Sequence, residues 1–506
     1  MKRSRVMSWL KSRATAFHQL FGDVIISYRI MGRYRLISLL LVILVSVHFA
    51  HASDWLSQVN DLMAQGEFAK AEKLMNKLPK KTRVSEAVRI DSLLTIMNRI
   101  RKDFNMTPEQ GVALIKEKVP EVTDAQISNW KAARKLEVMN IDGREWWFRK
   151  SVRNLWLLGD EFAQANEQDR QKTYQTRRRY YLQAMRSTPD RMGVRNWQRA
   201  NITFSLDVDA DAVPAGETLR VWMPFPYENI RQRNINYVEG NHPVTMSTGS
   251  KHHTVYMEAV AEAGKPTHFE YTFTYEVGER HIAQQDLLAM VEPYHTDSEL
   301  YQIYTASEAP HMIITDEMRE LAHQIVGEET NPVLQAYKVY QWISRTFPWA
   351  GAREYSTLTN IPQYVLDNHH GDCGQVTLLY ITLVRALGIP ARWESGWMLH
   401  PDEINWHDWG ETFFQGVGWV STDQSFGRSA IDTPMDAYYA SGIDVYRMAT
   451  NEGIGDQLYP KKQYIRSETV DFQPGEVEWR GGNLYYDKWH SHLEVNGITP
   501  LSVLIQ

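Results

Sequence analysis

Residues 371–390 read GDCGQVTLLYITLVRALGIP. Apolar side chains occupy nearly every position from Val376 to Leu387, so the segment predicts a helix that is apolar all round and therefore buried in the middle of a domain. Gly388 and Pro390 supply its exit. Cys373, the only cysteine in 506 residues, falls at the N-terminal end of that helix. Unpaired amides and the helix dipole favour the thiolate there, the nucleophilic form. Gly371 and Gly374 let the backbone turn tightly and let a substrate come close. Alone, such a cysteine reads equally well as a small core residue; its downstream neighbours decide the matter.

Beyond the helix, INWHDWGETFF (404–414) alternates so that His407, Trp409, Glu411 and Phe413 share one face of a strand. Gln415-Gly416-Val417-Gly418 predicts a hairpin turn, and Trp419 to Asp423 the returning strand. A connection of odd effective length puts Asp423 on the face of Trp409 and diagonal to His407; an even one puts it on the opposite face. A lone thiol with a histidine and an aspartate downstream is the pattern of a Cys-His-Asp nucleophilic site. In it His407 takes the thiol proton and later protonates the leaving amine, while Asp423 holds the other ring nitrogen. The amide of Cys373 and one upstream donor would meet the oxyanion. Trp349 and Tyr355 are the candidates for that donor, and packing explains both equally well.

Other polar groups carry less. Asp408, between His407 and Trp409, can compete for the imidazole. His369 and His370 adjoin the nucleophile but read as loop residues. His490 and His492 stand two apart on a predicted strand without further ligands nearby, so no metal site is read. No phosphate loop, dinucleotide fingerprint or HExxH occurs, and no cofactor is implied.

The string GDC, the helix ending RALGIPAR, the subsequent GW, then H-x-W-x-E and GW-V-x-x-D, together resemble the core of the transglutaminase-like superfamily, which has a papain-like fold. The resemblance implies a catalytic triad of Cys373, His407 and Asp423. Two departures stand out: Gln424 where many members have proline, and Asp408 where small residues are usual. Thioester-mediated acyl transfer is the implied chemistry. Water as acceptor gives a peptidase or amidase and a lysine amine gives protein cross-linking; resemblance to bacterial members favours hydrolysis of an amide in a peptide, protein or glycopeptide. A non-catalytic member of the fold that binds glycans or proteins through its 17 tryptophans is the alternative.

Working outward, Arg33 and Arg35, the apolar run LISLLLVILVSV (36–47) and Ala50-His51-Ala52 read as a secretory signal peptide cleaved near Ala52. The run is shorter than the roughly 20 residues a bilayer span needs, so no stable span is expected in the mature chain. Met31 makes a better start for such a signal than Met1. Cleavage would remove eight basic residues and one acidic, taking the formal charge from −6 to −13, with 47 basic against 60 acidic residues. Phosphate backbones are poor partners for that charge. The expectation is an exported protein, periplasmic or extracellular.

The expected organisation is α+β: residues 1–52 as extension and signal, 53–191 as a helical region, 196–285 as a small antiparallel β-sandwich, and 300–506 as a papain-like catalytic core with a β-rich C-terminal extension. Three- and four-residue apolar spacing in 66–78 and 85–104 supports the helices. Period-two alternation at Ile202, Phe204, Leu206 and Val208, and at Phe269, Tyr271, Phe273 and Tyr275, supports the sandwich. Asp316 is read as the N-cap of a helix carrying Met318, Leu321 and Ile325, and Asn331-Pro332 as cap and first turn of the next. Arg177-Arg178-Arg179 reads as a solvated helix face.

Overall fold

Every residue from Gly374 to Ala386 of the Cys373–Ala386 helix is buried, as a helix apolar on all sides must be. In the computed structural model, which describes residues 55–501 apart from 165 and 190–192, this helix is the axis of the C-terminal region. One side of it packs on a four-stranded antiparallel sheet ordered Gly418–Thr422, Glu403–Phe414, Ala391–His400 and Arg447–Glu452. Gly410 faces Thr377 and Ile381 of the helix, and the Tyr380 hydroxyl meets Thr412 Oγ1 at 2.7 Å. Helices Asp316–Val326, Pro332–Thr346 and Ile361–Asn368 close the rest of it, burying Val339, Ile343, Leu378 and Val384 in one apolar core. The first of these is capped by Thr315, whose hydroxyl accepts from Met318 N, with Asp316 as the first helical residue. Asp316 is thus one residue late as a cap, because the shorter threonine side chain already satisfies that amide. Asn331 caps the second helix and Pro332 opens it.

Two five-stranded sheets form an antiparallel sandwich. Ile202, Phe204, Leu206, Phe269, Tyr271 and Phe273 from one sheet face Leu219, Val221, Met223, Val255 and Met257 from the other, all almost fully buried. Each such side chain stabilises the sandwich by about 1.5–3 kcal/mol. The expected boundaries need correcting here. Trp489–Pro500 pairs with Val194–Val208, and Glu476–Trp479 pairs with Thr218–Pro224, so residues 476–500 complete the sandwich rather than extend the catalytic core. Val194–Val208 and Thr218–Pro224 would otherwise present unpaired backbone groups at sheet edges.

The described residues divide into two compact units, one holding residues 55–91 with 140–144 and the other residues 92–139 with the described residues from 145 to 501. In the first, residues 55–64, Phe68–Lys77 and Lys80–Ser85 are helical, with Phe68, Ala71 and Met75 buried. Asp142 accepts from the Ala69 amide at 2.8 Å and donates its own to Gly66 O at 2.9 Å. The second holds the sandwich, the core and helix Glu167–Ala184. The signal segment expected at 1–52 lies outside the described residues. No helix among the described residues is long and apolar enough to cross a membrane.

Candidate active site

Asp372 gives the central helix its start. Its carboxylate accepts from Gln375 N at 2.9 Å in a capping box with the Gln375 side chain, and its Oδ1 also accepts from the Tyr355 hydroxyl at 2.6 Å. Cys373 is therefore the first helical residue, and it is partly exposed. Its Sγ donates to Asp408 Oδ2 at 3.3 Å. Asp408 is held in turn by Gln473, whose Nε2 donates to Asp408 Oδ1 at 2.6 Å and to the His407 carbonyl at 3.0 Å.

The electrostatics of the thiol differ from the sequence expectation. Burial, then the Asp408 and Asp372 carboxylates, push the Cys373 thiol well above its ordinary range. A helix N-terminus contributes at most about 2 kcal/mol toward the thiolate, roughly 1.5 pKa units, whereas burial alone shifts a group by up to about 3–5 units. Desolvation and two like charges win. Asp408 is itself pushed well up, first by burial and then by Asp372. Glu468 and Asp471, close by, are raised in the same way.

His407 lies on the other face of its strand. The hairpin turn spans 415–417 and pairs Gly410 with Thr422, which continues Asp423 opposite Trp409, as an odd connection demands. Asp423 Oδ2 sits 2.8 Å from His407 Nε2 and accepts from Arg447 Nη1 at 2.9 Å; its Oδ1 accepts from Phe426 N at 3.0 Å. Burial would raise this carboxyl, but the imidazole and guanidinium outweigh it and hold Asp423 far below the usual carboxylate range. For His407 burial dominates and lowers the pKa against the pull of Asp423. Arg447 also reaches Asp444 at 3.4 Å, which pairs with His400 at 3.3 Å. Phe426 packs against both imidazoles and lies under Arg447 at 3.9 Å.

Two contacts are thus formed, His407 with Asp423 and Cys373 with Asp408. Among the described residues no hydrogen bond joins Cys373 to His407. Strand geometry supplies the reason: Asp408, Gly410 and Thr412 point at the central helix, so His407, Trp409 and Glu411 point away from it. On that far face Trp409 Nε1 donates to Glu394, and Glu411 pairs with Arg392 at 2.7 Å.

A cleft of about 600 Å³ opens over the thiol. Arg149, Lys150, Arg153, Asn405 and Trp406 line it together with Asp408, Glu468, Asp471 and Gln473. Trp349 is 42% exposed and lines the cleft, while its backbone pairs with Gly371 beside the nucleophile. Tyr355 is buried and its hydroxyl is committed to Asp372, so among the described residues only Trp349 of the two oxyanion candidates offers a donor without a hydrogen-bond partner. His370 is buried, with burial lowering it to about 4; His369 ends the preceding helix in the left-handed region. Among the described residues no group of His, Cys, Asp and Glu is arranged to hold a metal ion.

Sequence reasoning missed Arg447 and Gln473, and within the arginine run it misread Arg177. Arg177 does not lie on a solvated face. Its guanidinium covers the Phe426 ring at 3.7 Å and donates to Ser429 Oγ at 2.6 Å. For Arg447 the one local signal is a charged residue between apolar neighbours in a strand; Gln473 carries none.

The site thus holds a cysteine at the capped start of a buried helix that packs on an antiparallel sheet carrying a His-Asp pair. Residues 319–424 match the core of the transglutaminase-like superfamily, and the chain carries a domain of that superfamily. Similar solved structures include a protein of Cytophaga hutchinsonii provisionally assigned as a cysteine protease, 15% identical over 62% of this chain and 93% of its own, with a TM-score of 0.42. The periplasmic domain of TgpA from Pseudomonas aeruginosa is 12% identical over 45% of this chain and 90% of its own, with a TM-score of 0.24. No curated protein matches the sequence.

Proposed function

We propose that the protein is an exported, cysteine-dependent acyl-transfer enzyme that hydrolyses amide bonds in peptides, proteins or glycopeptides through a thioester on Cys373. The observation that carries this reading is the position of the sole thiol, at the capped start of a buried helix and open to a cleft inside a transglutaminase-like domain. Thiolate attack on the carbonyl carbon forms the thioester and expels the amine; water then releases the acid and restores the thiol. His407, oriented by Asp423, is the general base and acid of this scheme. Because His407 faces away from Sγ in the described arrangement, the scheme requires thiol and imidazole to come together when substrate binds. Trp349, at the cleft, is the oxyanion donor.

Wild-type and Cys373→Ala protein incubated with cell-envelope extract, then analysed by mass spectrometry, test the proposal. New termini or deamidated side chains made only by wild type are expected. Isopeptide bonds instead would reassign the enzyme as a cross-linker, and identical product sets from the two proteins would overturn the catalytic reading.

A further inference from the structure

Four observations converge on Asp408. It is the only side chain hydrogen-bonded to the nucleophile's sulfur among the described residues, at 3.3 Å. It is 4% exposed and fixed from the opposite side by Gln473 Nε2 at 2.6 Å. It shares the helix-facing side of its strand with Gly410 and Thr412. Finally, its neighbour His407 is occupied by Asp423 on the far face.

We propose that Asp408 is a latch on the nucleophile: its carboxyl accepts the Sγ proton of Cys373 and keeps the thiol protonated and turned into the cleft, so that reactivity waits on release of this contact. The inference deepens the acyl-transfer reading, yet it concerns thiol reactivity and stands apart from turnover. Its physics is that of a like charge. Burial and Asp372 hold the Asp408 acid up as well, so while neutral it fixes the thiol by accepting its hydrogen bond, and once ionised it opposes the thiolate as a like charge. Among the described residues no cation bonds to Sγ to offset it. The titratable groups facing the pair are Asp372 at the helix start, the Tyr355 hydroxyl from the preceding turn, and Glu468 and Asp471 beyond Asp408; all four are acids. The cations Arg149, Lys150 and Arg153 stand on the cleft wall. Burial and the Asp408 carboxylate both push the Cys373 thiol up. Gln473 completes the device by holding the carboxylate oxygen that the thiol leaves free. Asp408 is thus a positioning residue, acting through Cys373. Any donor group of a ligand that takes Asp408 Oδ2 competes with the thiol and releases it.

The test is the rate of iodoacetamide alkylation of Cys373 from about pH 5 to pH 10 in wild type, Asp408→Asn and Gln473→Ala, with circular dichroism as the folding control. Asp408→Asn removes the charge but keeps the shape, and is expected to alkylate about tenfold faster at neutral pH, the effect of lowering a thiol pKa by about one unit, with the whole profile displaced to lower pH. Gln473→Ala loosens the carboxylate and is expected to move the profile the same way by less. Folded Asp408→Asn protein that alkylates at the wild-type rate or slower, with an unmoved profile, overturns the latch. Should Asp408→Asn fail to fold, the Gln473→Ala profile decides by the same criterion. Faster alkylation without any acyl transfer in envelope extract would uphold the latch while the enzymatic reading fails, so the two stand or fall separately.

Discussion

At the scale of single residues, the decisive group is Asp423. It is 1% exposed and takes two charge-assisted bonds, from His407 and Arg447, and such bonds are roughly twice as strong as neutral ones. Its carboxyl titrates far below the ordinary range in the folded protein, against about 3.9 when unfolded. A depressed acid stabilises the fold above its unfolded pKa and loses that contribution as pH falls toward the folded value. Urea unfolding of wild type and Asp423→Asn between about pH 3 and pH 7 is therefore expected to show the wild-type advantage intact above about pH 5 and shrinking below about pH 4. A pH-independent difference would mean that the carboxylate is not held by the imidazole and guanidinium. The sequence supplied Asp423 and His407 through their spacing. It did not supply Arg447, 24 residues beyond Asp423, because a buried arginine is recognised by the carboxylates around it rather than by its neighbours in the chain.

At the scale of elements, the first turn of the Cys373–Ala386 helix is closely packed at Gly374. A Cβ on Gly374 would run into the Tyr355 hydroxyl, the Asp408 carboxylate and the Trp393 ring. Overpacking of that kind costs about 1–3 kcal/mol, so Gly374→Ala is expected to lower the melting temperature by about 1–4 °C and to displace Asp408 from the thiol. Unchanged melting together with unchanged Cys373 alkylation would show that the three neighbours can move aside. The helix, its Gly388 exit and the hairpin turn at 415–417 were legible because each depends on local rules of periodicity and turn chemistry. The start of the helix was legible only to the residue. Its capping box between Asp372 and Gln375 sets that start by a side-chain contact three residues apart.

Over the molecule as a whole, the unusual feature is a buried acidic group beside the thiol. Asp471 is 5% exposed; burial, then the nearby Asp408, raises its carboxyl well above the ordinary range, with Arg466 opposing. For a raised acid the sign reverses. The fold keeps its full stability below the unfolded pKa and loses it as pH climbs toward the folded one, because the unfolded chain ionises and the native one does not. Asp471→Asn is expected to match wild type near about pH 4 and to become progressively more stable than wild type by about pH 8, as read by chemical denaturation. An equal difference at both pH values would place an ionised carboxylate in the native state. None of this could be read along the chain. The acids come from 372, 408, 468 and 471, and the last pair is carried back to the first by strands that complete a sandwich begun at residue 194.

By itself the sequence determined the buried helix, the thiol at its start and the hairpin, because periodicity and turn chemistry are local properties; whether Asp423 meets His407 hung on the parity of the connection, which the structure supplies. Only the tertiary structure decided what touches the thiol. Alternation along one strand sends Asp408 to the helix and His407 to the opposite face, and distant strands bring Gln473, Glu468 and Asp471 beside them. Which groups desolvate and charge the thiol is a matter of proximity in space, and that proximity is set by contacts far apart in the chain.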